Sequence, residues 1–186
     1  PHVVVLDFGV KHSILRNLLE RELAVTLVPS TATVEDILAL EPNGVLISNG
    51  PGDPALLTAA VGRVRDLAER VPIWGICLGH QLLAQAFGAQ TFKLRFGHRG
   101  PNQPVLDHAS GRVLITSQNH GYAVDAKTIP EELEVTQHNL NDDTVEAFQH
   151  RSLNVRAVQY HPEAGPGPHD AVTFFDEFRD VLTQIH

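Results

Sequence analysis

Short apolar runs alternate with amphipathic stretches along the first half of the chain. Four of the apolar runs predict buried strands: VVVLD (3–7), VTLV (25–28), GVLIS (44–48) and VPIWGI (71–76). The stretches between and after them predict helices over 13–22, 33–40, 55–70 and 78–88. Ser13 is the predicted N-cap of the first helix, and Gly88 the residue that ends the fourth. Buried strands separated by helices indicate βαβ units on a parallel sheet with helices on its faces.

The second half of the chain is richer in strand-like runs. Four of them predict antiparallel additions to the sheet: 112–117, 132–137, 145–150 and 155–160. The segment 170–185 predicts a final helix with Asp170 as its N-cap. One apolar stripe of that helix is expected in the core: Ala171, Phe174, Phe175, Phe178, Val181, Leu182 and Ile185. We therefore predict an α/β fold with an open, mostly parallel twisted sheet, flanking helices and added antiparallel strands.

Length, charge and cysteine content narrow the functional classes. The chain has 186 residues, enough for a single domain, and a formal net charge of −8 without a cluster of Lys and Arg. Nucleic acid and anionic membranes are therefore not expected partners. The single cysteine cannot form an internal disulfide, and no apolar run reaches the roughly 18 residues of a membrane span, so a cytoplasmic location is expected. Because the sequence starts with Pro1 and contains no Met, we expect it to be a piece of a longer protein.

Cys77 lies where a predicted strand meets a predicted helix, in the stretch GICLGHQ (75–81). The carboxyl ends of strands are where open α/β sheets collect their functional residues, and a nucleophile there projects from a tight turn. Gly75 and Gly79 would leave room for such a turn. The N–H groups and the dipole of the helix start would favour thiolate over thiol. An inert buried cysteine explains the local sequence equally well.

Two further stretches follow predicted strand ends. His161 and Glu163, separated by Pro162, are placed so that the carboxylate can orient the imidazole as a general base; a surface histidine is the simpler alternative. In SNGPGDP (48–54), the glycines could direct backbone N–H groups at a ligand and, with the N–H of Leu78, form an oxyanion hole. Taken alone, an ordinary turn is the better explanation of that stretch.

Taken in order, GICLGHQ, SNGPGDP and HPE (161–163) resemble the class I (triad) glutamine amidotransferases. Four longer stretches resemble the amidotransferase domain of the carbamoyl-phosphate synthetase small chain: LDFGVKHSILRNL (6–18), FGHRGPNQPV (96–105), SQNHGYAVD (117–125) and HPEAGPGPHD (161–170). The similarity runs from about residue 2 to the C-terminus. The departures from the usual pattern are Gly165, Tyr122 and Tyr160, none of them in the triad. The N-terminal domain of the small chain is absent, so residues 1–186 are expected to be one amidotransferase domain.

The resemblance implies glutamine hydrolysis by a Cys-His-Glu triad. Cys77 would be the nucleophile, His161 the base and later the acid, and Glu163 the residue that orients the imidazole. The resemblance also implies a set of residues that bind glutamine: Gly50, Gly52, Leu78, Gln81, Asn119, Gly121 and Tyr122. The last three would come from the NHGYAVD segment, expected to be a loop.

Ammonia made for synthesis has to reach a second active site before it picks up a proton. The chain shows no phosphate-binding P-loop and no set of metal ligands for ATP chemistry, so no cofactor is expected in it. The resemblance implies a partner, the carbamoyl-phosphate synthetase large subunit, that would hold ATP, bicarbonate and Mg²⁺ and serve arginine and pyrimidine synthesis.

Three alternatives remain open at this point. The chain could be a triad hydrolase acting on a different amide, or a regulatory subunit without catalytic activity. It could also be a zinc-binding module built on Cys77, His80 and His161.

Overall fold

A computed structural model describes residues 1–164 and 169–185. Its nine strands are β1 (His2–Asp7), β2 (Ala24–Pro29), β3 (Gly44–Ile47), β4 (Ile73–Ile76), β5 (Thr91–Asp107), β6 (Val113–Val124), β7 (Leu133–Asn139), β8 (Val145–His150) and β9 (Val155–Val158). Its five α-helices are α1 (His12–Leu19), α2 (Val34–Leu38), α3 (Thr58–Ala68), α4 (Leu78–Ala86) and α5 (Thr173–Gln184). Two 3₁₀ turns lie at Pro54–Leu56 and Ala126–Thr128. No helix in these described segments is long and apolar enough to cross a membrane.

All nine strands form one sheet in the order β2-β1-β3-β4-β9-β8-β7-β5-β6. The first five strands in that order are parallel, and from β9 onward each neighbour is antiparallel. Parallel strands bring their carboxyl ends to one edge of the sheet. The chain segments after β1, β3, β4 and β9 therefore meet along that edge.

Alternate residues of the central strands enter two different cores. Val4 and Ile47 pack with α2, α3 and α4 on one face of the sheet. Val5 and Trp74 pack with α1 and α5 on the other face. The period of two along a strand and the burial of both faces explain why these strands are almost wholly apolar. The result is a three-layer α/β arrangement, as predicted.

Several local predictions are wrong. Helix α1 begins at His12 after Lys11, so Ser13 is not its cap. Helix α5 begins at Thr173 after Val172, and the Asp170 carboxylate instead accepts a hydrogen bond from the Ile115 N–H at 3.0 Å. Most of the predicted α5 stripe is buried, but Ile185 is 55% exposed because it follows the last turn of the helix.

Two strand predictions also need correction. Strand β9 pairs with β4 in parallel and with β8 in antiparallel fashion, so it belongs to the parallel half of the sheet. The segment 119–124, expected to be a loop, is the end of strand β6, which pairs with the long and unpredicted β5. Gly165 lies outside the described residues.

Candidate active site

Cys77 occupies a strained turn between β4 and α4. Its backbone φ and ψ are 55° and −102°, a conformation that residues other than glycine rarely adopt. Hydrogen bonds hold the turn on both sides: the Cys77 N–H donates to the Val158 carbonyl at 2.8 Å, and the Gln81 N–H donates to the Cys77 carbonyl at 3.2 Å. The side chain is aimed away from the helix axis by this turn, as in the strand–turn–helix elbows that present nucleophiles.

Glycines make this turn possible. A Cβ on Gly75 would lie 2.6 Å from the Gly79 carbonyl carbon and oxygen, and a Cβ on Gly79 would lie 2.4 Å from the Ile47 carbonyl oxygen. Helix α4 therefore approaches the ends of β3 and β4 more closely than any side chain allows. The crowding anticipated from the sequence at these two positions is present.

His161 and Glu163 follow the end of β9. The His161 N–H donates to the Ser117 carbonyl of β6 at 2.9 Å, which fixes the backbone beside the imidazole. His161 Nδ1 lies 3.0 Å from Glu163 Oε2, and the Glu163 side chain is fully buried. Burial lowers the pKa of His161, but hydrogen bonds with Cys77 and Glu163 outweigh burial and raise this pKa to about 9. The imidazole is therefore held as an imidazolium at neutral pH, next to the sulfur.

Cys77 and His161 line the same pocket, which has a volume of about 180 Å³. The remaining lining residues come from the ends of β1 and β3 and from β6: Gly9, Lys11, Asn49, Gly50, Pro51 and Asn119. This pocket joins chain segments that follow parallel strands with one strand from the antiparallel half of the sheet.

Other residues implied by the resemblance lie around the pocket rather than on its wall. Gln81 is buried, and its Nε2 donates to the Tyr122 carbonyl at 2.9 Å and to Gln159 Oε1 at 3.1 Å. Gly52 has a φ of +97° and open space beside it, and Gly121 is a half-buried residue of β6. The binding roles of these residues, and of Leu78, stay predictions.

The Leu78 N–H lies in the first turn of α4, where backbone N–H groups have no partner inside the helix. Gly50 approaches the same place, because its Cβ would lie 2.9 Å from the Leu78 side chain. Both residues are thus positioned next to the nucleophile.

The sequence analysis missed Lys11 and Asn49. Lys11 Nζ lies 3.6 Å from Glu163 Oε2, so the buried carboxylate faces both a cation and the imidazole. Asn49 accepts from the Lys11 N–H at 3.3 Å and donates to the Gly9 carbonyl at 3.2 Å, which ties the ends of β1 and β3 together. Both residues follow predicted strands, so the rule that located Cys77 and His161 would also have found them.

A second polar cluster is buried between β5, β6 and β8. Potential metal-ligand atoms of His98, His120 and Glu146 lie within 4.8 Å of one another, the only such group among the residues with described positions. The Gln118 carboxamide already joins them: its Oε1 lies 3.2 Å from His98 Nδ1 and 2.7 Å from His120 Nε2, and its Nε2 donates to Glu146 Oε1 at 2.9 Å. The arrangement is that of a hydrogen-bonded cluster centred on an amide rather than on a cation.

Burial controls the titration of this cluster. It lowers the pKa of His120 to about 4 and raises that of Glu146 to about 7, against the hydrogen bonds from Gln118 and Asn139 that favour the carboxylate. Burial, helped by His120, also lowers the pKa of His80 to about 3, and its ring packs on Phe148. Cys77, His80 and His161 do not form a ligand group in the part of the chain described, so the zinc alternative has no support here.

Comparison with known proteins places these features in a family. The model of the glutamine amidotransferase class-I family matches residues 4–181. The chain is 57% identical over 182 residues to the carbamoyl phosphate synthase small chain of Archaeoglobus fulgidus, covering 98% of this chain and 51% of that one. It is 52% identical over 183 residues to the pyrimidine-specific small chain of Lactiplantibacillus plantarum, covering 98% and 50%. The chain thus spans about half the length of the curated relatives it matches.

Solved structures agree on the fold. A Thermoplasma acidophilum protein named for one of the subunits of GMP synthase superposes with a TM-score of 0.79 at 22% identity, covering 99% of this chain and 96% of that one. A glutamine amidotransferase from Thermotoga maritima gives 0.69 at 16% identity, covering 98% and 84%. The strand order, the turn at Cys77 and the family match over residues 4–181 lead to one conclusion: this chain belongs to the class-I glutamine amidotransferase family.

Proposed function

We propose that this chain is the glutaminase component of a glutamine-hydrolysing carbamoyl-phosphate synthetase. Cys77, His161 and Glu163 cleave the side-chain amide of glutamine, and the ammonia passes to a large synthetase subunit. The observation that carries the proposal is the shared pocket of Cys77 and His161, with the far side of the imidazole held by a buried carboxylate. The small-chain relatives supply the choice of synthetase.

The first half of the reaction forms a thioester. The Cys77 thiolate attacks the amide carbon, and negative charge develops on the amide oxygen. The Leu78 N–H and the backbone at Gly50 are the groups proposed to bind that oxygen. As the carbon–nitrogen bond breaks, the His161 imidazolium gives its proton to the nitrogen and ammonia leaves. The raised pKa of His161 suits this step, because the imidazolium is the form present at neutral pH.

The second half releases glutamate. The now neutral His161 takes a proton from water, the hydroxide attacks the thioester carbon, and the carbon–sulfur bond breaks. The thiolate and the imidazolium are thereby restored. Glu163 keeps Nδ1 protonated throughout, so that the other ring nitrogen serves the sulfur, the leaving nitrogen and the water in turn.

The remainder of the synthesis is assigned to the partner. Carbamoyl phosphate formation requires ATP, bicarbonate and Mg²⁺, which we place on the large subunit together with the second active site. We also propose that the chain works in the cytoplasm and that its glutaminase activity is low until the large subunit binds. A triad hydrolase with another amide substrate would need no such partner.

A diazoketone analogue of glutamine tests the nucleophile. We expect one covalent adduct, mapped by peptide mass spectrometry to Cys77, with free glutamine slowing the labelling. The Cys77→Ser variant should stay unlabelled. An adduct at another residue, or labelling that glutamine does not slow, contradicts the proposed nucleophile.

Product analysis tests the partner. Mixed with a large synthetase subunit, ATP and bicarbonate, the protein should convert glutamine into carbamoyl phosphate and glutamate in equal amounts. Glutamate release that is identical with and without the large subunit would refute activation by the partner, and absence of carbamoyl phosphate would favour a different amide hydrolase.

A further inference from the structure

Gln159 is a buried amide that touches the candidate nucleophile. It follows the last residue of β9 and lies two residues before His161, with no exposed surface. Its Nε2 is 3.7 Å from Cys77 Sγ, within hydrogen-bond range for sulfur, and its Oε1 is 3.1 Å from Gln81 Nε2. The sulfur therefore has a neighbour at its back in addition to the imidazole of His161.

A backbone carbonyl determines which end of the Gln159 amide faces the sulfur. The Tyr122 carbonyl can only accept, so the Gln81 atom 2.9 Å from it has to be the NH₂ group. The same NH₂ group approaches Gln159, which must therefore present its oxygen to Gln81. The Gln159 NH₂ group is left to face Cys77 Sγ. The direction of the donor follows from the chain of contacts and does not depend on how an isolated amide is oriented.

The Tyr122 carbonyl is itself held in place. His120 Nδ1 lies 2.7 Å from it and can interact with a carbonyl only as a donor. The other nitrogen of His120 is bound by Gln118, which also contacts His98, so the carbonyl is anchored to the cluster beneath β6. With these anchors, Gln159 cannot turn its amide over without breaking buried hydrogen bonds.

We propose that Gln159 is a further catalytic residue, which donates a hydrogen bond to the Cys77 sulfur when that sulfur carries negative charge. The inference rests on the proposed glutaminase function. A donor on the sulfur favours the thiolate before it attacks glutamine, and favours it again when it leaves the thioester. It acts from the side of the protein core, so it leaves the pocket side of the sulfur free for substrate.

Replacement of the donor should change the pH dependence of thiol reactivity. In the complete natural protein, Gln159→Glu keeps an acceptor for Gln81 but places an oxygen against the sulfur, and Gln159→Met removes both polar atoms. For each variant we expect the midpoint of the pH profile for Cys77 alkylation by iodoacetamide to rise by about one unit, and alkylation at pH 7 to slow by about tenfold. The glutaminase kcat should fall in parallel.

Gln85→Met is the matched control, because Gln85 lies on the same helix as Gln81 and its amide donates to Thr91 at 2.9 Å. Its alkylation profile should equal that of the natural protein. Urea denaturation of all three variants shows which of them are folded at the pH of the assay.

An unchanged alkylation profile in a folded Gln159 variant overturns the inference. The readout needs only the sulfur and iodoacetamide, so it is separate from glutamine turnover. If the profile shifts but the protein hydrolyses no glutamine, the donor is real and the proposed glutaminase function is wrong. If glutamine is hydrolysed and the profile does not move, only the role of Gln159 is lost.

Discussion

Gly79→Ala tests whether the close approach of α4 to the sheet positions the nucleophile. The added Cβ would lie 2.4 Å from the Ile47 carbonyl oxygen, 2.9 Å from its Cβ and 3.0 Å from its carbonyl carbon. None of these atoms is the end of a flexible side chain. The helix start has to move away from β3 by at least about 0.6 Å to restore a contact of 3.0 Å.

Such a displacement should affect both stability and chemistry. Overpacking in a close-packed core costs about 1–3 kcal/mol, and the backbone contacts at Gly79 put the expected loss in the free energy of unfolding at about 3 kcal/mol. A misplacement of about 1 Å can lower a rate by about 100-fold, so labelling of Cys77 by a glutamine analogue should slow by about that factor. Urea denaturation followed by the fluorescence of Trp74, the only tryptophan and fully buried, measures the first effect.

Gly62→Ala provides the control. Gly62 lies in the middle of α3, and a Cβ there would meet no atom within 4 Å. Alanine is favoured over glycine in a helix interior, so this variant should be more stable by about 0.5–1 kcal/mol with unchanged labelling. If Gly79→Ala loses less than about 1 kcal/mol and labels at the natural rate, the close approach does not position Cys77 and the reasoning fails.

Two further predictions concern titrating groups. Burial raises the pKa of Glu146 from 4.5 to about 7, so the folded state holds an extra proton; stability is greatest below pH 4.5 and falls by about 3 kcal/mol as pH rises through 7. Glu146→Gln should abolish most of that fall in urea denaturation at pH 5 and pH 8, and an equal fall in both proteins contradicts it. In Glu163→Gln, the pKa of His161 should drop below about 9, so the alkaline limb of glutaminase activity should move to lower pH. A limb that stays in place would show that Glu163 does not hold the imidazolium.

The parallel half of the fold was predictable because its strands are buried on both faces. Val3, Val4 and Val5 are all fully buried although they point alternately to opposite cores, so the run is apolar without alternation. The direction of β9 was not predictable in the same way. A local pattern shows that a segment is a strand, but its direction depends on which neighbour it joins, and β9 joins one of each kind.

Strand β5 was missed because it contains the residues that usually end strands. Gly97 and Gly100 have positive φ, and the pairing of β5 with β6 shifts register between Lys93 and His98 and again between Gly100 and Gln103. Glycine and irregular register accompany β-bulges, which look like turns in a sequence. The bulged strand nevertheless places His98 in the cluster beneath β6.

The rule that functional residues follow parallel strands located most of the pocket from the sequence, since Cys77, His161 and Gly50 all follow such strands. It could not locate the groups behind the sulfur. Gln159 also follows a strand, but its importance depends on the direction of its amide, and that direction comes from a carbonyl of β6 nearly forty residues away along the chain. Residue type and spacing carry no information about which end of an amide faces a partner. Only the assembled hydrogen-bond chain does, and for that reason the Tyr122 carbonyl, a group present at every position of every sequence, decides how the nucleophile is stabilised here.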